Sequence, residues 1–178
     1  MIEKFNINEK VADEIETMLL NPSFNWFYND STLDELEKLR DTEINSPQLT
    51  HVFFGNNEVN SPFYPNVTNI LSNFKLPFKL IQFYRIKANL NFNVNEGNTH
   101  MHQPIHVDTE KKGYKSFIYY VNESDGDTLF FDNNGEIVNR ISPKKGMGIL
   151  FDSNIAHAAQ NPIKSLKRLV INFVFRCD

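Results

Sequence analysis

From residue 78 to the C-terminus the chain shows no three-to-four-residue apolar stripe. Its apolar residues alternate instead, in short runs broken by turn residues, which is the period of half-buried β-strands. The run 79–91 (KLIQFYRIKANLN) puts Gln82, Tyr84, Ile86, Ala88 and Leu90 on one side and Phe83, Arg85, Lys87 and Asn89 on the other. Residues 103–108 read as a short strand and 114–121 as a longer one. Runs 128–131 and 136–140 flank Asp132-Asn133-Asn134-Gly135, whose Asn-Gly step signals a hairpin. Runs 147–151 and 168–176, with a short piece around His157, bring the count to about eight strands. Strands this short and this closely spaced favour a closed sandwich or barrel over a parallel sheet.

The first third reads differently. Residues 8–20 place Val11, Ile15, Met18 and Leu19 on one helical stripe, ended by Asn21-Pro22. Ser31 suits the N-cap of a second helix to about Arg40, with Leu33, Leu36 and Leu39 turned inward. Pro65 suits the first turn of a third, with Val67, Ile70, Leu71 and Phe74 as its buried face. Between these, residues 49–54 allow one short strand, and the aromatic run 24–28 is expected to fill core. At 178 residues and 40% hydrophobic content this is one domain: a helical and irregular support over 1–76 and a β core over 77–178.

The last strand carries the strongest functional hint. Leu169, Ile171, Phe173 and Phe175 share its greasier face, which should pack on the helices, so Arg168 points into the barrel. A buried guanidinium is costly without an anion, and a bound carboxylate would supply one. His106-Val107-Asp108 adds imidazole and carboxylate on the same side of an extended segment. With His157 as a third ligand, two histidines and one carboxylate form the facial set that suits Fe(II) in oxygen chemistry.

Composition narrows the partners. A formal charge of −4 and a pI near 5.7 argue against a protein that neutralises nucleic-acid phosphates. The single cysteine, Cys177, allows no internal disulfide. No run is long enough to span a membrane, and the first residues lack a signal-peptide core, so an intracellular, cytoplasmic protein is expected.

In order and spacing these residues resemble the Fe(II)- and 2-oxoglutarate-dependent dioxygenases, in particular the prolyl 4-hydroxylase-like branch. The family pattern is H-x-D, a distal histidine about fifty residues later and an arginine about ten beyond it. Here these are His106, Asp108, His157 and Arg168. Phe117-Ile118-Tyr119-Tyr120-Val121-Asn122 resembles the family strand whose second tyrosine meets the far carboxylate of 2-oxoglutarate, and Gly126-Asp127-Thr128-Leu129 resembles the next strand. The resemblance spans roughly residues 79–175 and implies a double-stranded β-helix, a jelly-roll or cupin-like barrel flanked by about three helices. It also implies His106, Asp108 and His157 as iron ligands, and Arg168, Tyr120 and Tyr84 as contacts to 2-oxoglutarate. The implied reaction uses O2, with ascorbate as a stimulant, and couples decarboxylation of 2-oxoglutarate to succinate and CO2 with hydroxylation of an unactivated C–H bond. Asp108 keeps the carboxylate that halogenating members lack. Val174 stands where nucleic-acid demethylases carry a second arginine.

Three readings follow: hydroxylation of a prolyl or other residue in a protein or peptide, hydroxylation of a free amino acid or other small molecule, and a cupin-like barrel that binds without turnover. His100 and His102 could chelate a metal, but precede Pro104 in a polar loop and are expected at a lid or entrance, or simply exposed. His51, remote in sequence, is expected to be structural. Arg85, Arg140 and Arg176 are rival carboxylate anchors without the right spacing from His157.

Overall fold

The computed structural model describes residues 1–6, 9–31, 39–93 and 101–178. The helix expected to start at Ser31, and His100, lie outside them. The elements of the first half are β1 (Glu3–Asn6), α1 (Glu9–Leu19), β2 (Phe27–Asn29), β3 (Gln48–Gly55), β4 (Glu58–Val59), α2 (Tyr64–Ser72) and β5 (Leu80–Phe92). Those of the second half are β6 (Tyr114–Tyr120), β7 (Thr128–Phe131), β8 (Ile137–Ile141), β9 (Met147–Asp152), β10 (His157–Ala159) and β11 (Lys167–Cys177). The major sheet runs β1-β9-β6-β11-β5-β3-β2, with β4 on β3, and the minor sheet runs β10-β7-β8. All the pairings within these two sheets are antiparallel. This is the jelly-roll arrangement, mainly β, with helices on one side.

The alternation along β11 separates two of the molecule's cores. Leu169, Ile171, Phe173 and Phe175 pack with Ile15 and Leu19 of α1 and Val67 and Ile70 of α2. Each such buried side chain contributes about 1.5–3 kcal/mol, enough to hold two short helices that would not persist alone. Val170, on the opposite face, joins Ile118, Tyr120, Ile149 and Phe151 of the major sheet and Phe130 of the minor one. Gly148 makes the helix-side layer possible: a Cβ there would lie 2.1 Å from Cζ of the Phe117 ring.

Several expectations need correction. The N-terminal third is more than support, since β1, β2, β3 and β4 all belong to the major sheet. Residues 103–108 form no strand; His102 and His106 make single bridges, to Glu43 and to His157. Along β5 strict alternation breaks at a bulge: Arg85 faces Val174, whereas Phe83 faces Phe175, which leaves Tyr84 as the extra residue. Phe83 therefore joins the helix-side core, while Arg85 stays on the barrel side. No helix among the described residues is long and apolar enough to cross a membrane.

Candidate active site

The segment carrying His106 and Asp108 is extended and tied to the β10 strand by its backbone. His106 N–H donates to the His157 carbonyl (3.0 Å), His157 N–H donates back to the His106 carbonyl (2.9 Å), and Asp108 N–H donates to the Ser153 carbonyl (3.0 Å). Residues 106 and 108 thus project to one side, and the bridge delivers residue 157 to them. One ligand atom from each of the three lies within 4.8 Å of the others, and the two imidazole centroids are 4.5 Å apart.

The ring nitrogens are sorted by their partners. Nδ1 of His106 lies 3.1 Å from the Pro104 carbonyl, and Nδ1 of His157 lies 2.9 Å from the Ile155 carbonyl. A carbonyl only accepts, so both Nδ1 atoms carry a proton and Nε2 is the ring atom each histidine has to offer a cation. Burial, helped by the neighbouring His157, pushes the His106 imidazole down to about 4. It is therefore neutral and ligand-ready at physiological pH.

Asp108 is oriented from three strands. Its Oδ1 accepts from Nη2 of Arg85 on β5 (2.6 Å) and from Nδ2 of Asn172 on β11 (2.8 Å), and its Oδ2 accepts from the Ser116 hydroxyl on β6 (2.6 Å). Burial by itself would raise this carboxyl, but the charges of His157 and Arg85 outweigh it and hold the group below its ordinary value. Sequence reasoning passed over Ser116 and Asn172 as site residues and set Arg85 aside. Asn172 was within reach, since it shares the Arg168 face of β11. Two imidazoles and one carboxylate, with exchangeable positions left over, are a donor set that fits Fe(II).

Arg168 sits inside the barrel at 3% exposure, as the alternation requires. Its Nε donates to the Gly126 carbonyl (2.8 Å) and its Nη2 to the Thr128 hydroxyl (2.7 Å). Tyr120 also donates to Thr128 (2.8 Å), with its ring 5.8 Å from the guanidinium carbon. Burial pushes the Tyr120 phenol up to about 12, so it remains a protonated donor. Burial likewise lowers the Arg168 value, with Tyr120 and Asp127 pulling the other way. Among the described residues no carboxylate forms an ion pair with Arg168. Gly126 fits closely beside it: a Cβ there would meet the Gln160 carbonyl at 2.6 Å and Cδ of Arg168 at 3.0 Å.

A cavity of about 300 Å³ joins the two halves, with His106, Asp108, Asn172, Arg85 and Arg168 in its wall. Tyr120 and Tyr84 are not among its lining residues. Tyr120 is wholly buried behind Thr128. Tyr84, turned outward by the bulge, packs edge-on against Tyr114 (5.7 Å) with the Lys111 ammonium 4.4 Å above its ring.

The other candidates lie elsewhere. His102 is buried rather than at a lid, its Nδ1 2.7 Å from the Gln103 carbonyl and its ring 5.0 Å from that of Phe131. His51 is structural, held between the Asn25 carbonyl (2.6 Å) and the Ser61 hydroxyl (2.8 Å). Arg140 pairs with Asp127 (3.1 Å), and Arg176 is exposed.

Residues 90–176 match the family described as the 2OG-Fe(II) oxygenase superfamily. No curated protein matches the chain in sequence. Among solved structures it is similar to a prolyl 4-hydroxylase from Pseudomonas putida (14% identity, 98% of this chain and 92% of that one, TM-score 0.57). It is also similar to a Trichoplax adhaerens prolyl hydroxylase in complex with a hypoxia-inducible-factor peptide fragment (13%, 98% and 83%, TM-score 0.63). A third is the viral collagen prolyl hydroxylase of Paramecium bursaria Chlorella virus-1, in complex with 2OG (14%, 99% and 96%, TM-score 0.52). At these identities the likeness is one of fold.

Proposed function

The chain belongs to the 2OG-Fe(II) oxygenase superfamily, and from that premise we propose that it hydroxylates an unactivated C–H bond of a prolyl or other residue in a protein or peptide, with release of succinate and CO2. The family match favours an enzyme over the third reading, a barrel without turnover.

One observation carries the proposal: a buried guanidinium, with no carboxylate paired to it among the described residues, opens onto the same cavity as His106 and Asp108 of the His-Asp-His cluster. His106, Asp108 and His157 would hold Fe(II), which supplies activation of O2 against 2-oxoglutarate. Arg168 would grip the far carboxylate of 2-oxoglutarate through a charge-assisted fork. Its Nε and Nη2 are fixed on Gly126 and Thr128, so the fork is already aimed. Tyr120 supports it indirectly, by donating to the same Thr128 hydroxyl. Arg85, Asn172 and Ser116 keep Asp108 from rotating.

The second reading, a free amino acid or other small molecule, is favoured by the cavity wall, whose apolar lining among the described residues is Val107 and Ala159 alone. Incubation with Fe(II), ascorbate, O2 and 2-oxoglutarate, with peptides and small molecules screened for a gain of one oxygen, tests both. Succinate in wild type but not in His106→Ala supports catalysis at this site; equal background in the two refutes it.

A further inference from the structure

Arg85 has no part in holding 2-oxoglutarate, because it sits at the wrong end of the strands. On the β5–β11 ladder Arg168 faces Asn91, while Arg85 faces Val174. Asn172, which grips Asp108, marks the level of the metal ligands between them. It is four residues from Arg168 and two from Val174, or about 13 Å and about 7 Å at ~3.3 Å per residue. A diacid reaching from Arg168 to the metal occupies the first interval and leaves the second open.

The Arg85 guanidinium is only partly engaged. Nη2 donates to Asp108, whereas Nη1 has no hydrogen-bond partner among the described residues and Nε is buried without an acceptor. Its one counter-charge among the described residues, Asp108, also receives Asn172 and Ser116 and would be shared with the metal. The cavity wall carries Arg85, Lys87 and Arg168, against Asp108 as the one carboxylate among its described lining residues. The Arg85 side chain is 35% exposed, so it is within reach of an incoming anion. Asn172 leaves its Oδ1 without a donor among the described residues, and Lys87, its partner on the β5–β11 ladder, lines the same cavity.

We infer that Arg85 is a specificity-determining residue: it anchors a carboxylate of the substrate on the side of the metal away from 2-oxoglutarate. The molecule hydroxylated is therefore an acid, either free or present as the acidic side chain of a peptide. This inference rests on the function proposed above.

The test uses the full chain loaded with Mn(II) and saturated with 2-oxoglutarate, without turnover. Propionate and propionamide serve as probes, alike in shape and different in charge. Paramagnetic broadening of their methyl protons reports approach to the metal. Propionate should be broadened at least tenfold more than propionamide in wild type, and this should fall at least fivefold in Arg85→Gln. Arg85→Lys keeps a charge on Asp108 and serves if the glutamine variant releases Mn(II). It should bind propionate at least threefold more weakly than wild type, since the fork is lost. Equal broadening of the two probes in wild type, or unchanged propionate binding in these variants, overturns the inference while leaving the oxygenase reading intact. Failure of 2-oxoglutarate itself to bind takes down both. With Fe(II) and O2, free organic and amino acids in one arm and end-blocked acidic peptides in another locate the source of the carboxylate. A gain of oxygen in acidic members of either arm supports the inference, and a gain confined to neutral ones overturns it.

Discussion

Asn172 donates from Nδ2 to Oδ1 of Asp108 across 2.8 Å, and so ties β11 to the carboxylate of the metal-ligand cluster. The same strand carries Arg168 four residues earlier on the same face, so one rigid element sets the spacing between the cluster and the diacid anchor. Asn172→Leu removes the donor at similar volume. Loss of such an orienting partner commonly weakens metal binding about 10–100-fold, and that is the expected fall in Mn(II) affinity by competitive titration, with the fold retained. Unchanged affinity would mean that Arg85 and Ser116 suffice to hold Asp108.

Arg168 costs the ligand-free protein a buried charge that no carboxylate among the described residues pairs with. Arg168→Met keeps the bulk and removes the charge, and the melting temperature of the ligand-free variant is expected to equal or exceed that of wild type. The stabilisation that wild type gains from 2-oxoglutarate should disappear with it. A charge-assisted hydrogen bond contributes about 1.5–3 kcal/mol, so affinity for 2-oxoglutarate should drop at least about tenfold while affinity for metal stays. A variant that still gains the full shift on adding 2-oxoglutarate would place the anchor elsewhere.

Gly126→Ala tests the same pocket from behind. The added methyl would collide with the Gln160 carbonyl and press on the Arg168 side chain, whose Nε is bonded to the Gly126 carbonyl itself. Backbone on one side leaves little room to yield, so both stability and 2-oxoglutarate affinity should fall. If calorimetry shows affinity unaltered, Arg168 tolerates displacement and its aim is less fixed than its bonds suggest.

Acid should destabilise the metal-free protein earlier than carboxylate protonation alone would require. The folded state holds His106 at about 4, against about 6.5 for an unfolded imidazole. Between these values the unfolded chain binds more protons, so stability is fully present above about 6.5 and is lost as pH falls towards 4. Asp108, held below its ordinary value, adds a further loss below about pH 4. Melting temperature followed from pH 7.5 to 4.5 should decline by several degrees, and more shallowly in His106→Gln. A flat profile in wild type would show that the imidazole is not neutral-selective.

Much of this was legible in the sequence because it is local. The two faces of β11 follow from strict alternation, and they correctly place Arg168 inside and Phe173 outside against the helices. Asp132 to Gly135 form the expected turn, with Gly135 at φ +82° and the Asp132 carboxylate accepting from Asn134 N–H. What escaped is tertiary. Strands of two to four residues such as β1 and β4 are too short to show a period and exist because a neighbour's edge is available. One bulged residue in β5 reverses the side to which Tyr84 points, so a phase read from Ile86 gave it the wrong neighbours. Arg85 and Ser116 meet Asp108 from separate strands, a convergence that no spacing along the chain encodes.

Metal and diacid are to be held together in one site, and anaerobic calorimetry of 2-oxoglutarate binding, with and without Fe(II), measures this directly. Wild type should take up one equivalent, tightly only when the metal is present, and His157→Ala should lose that metal dependence. Binding of equal strength with and without Fe(II), or unaffected by loss of His157, would contradict it.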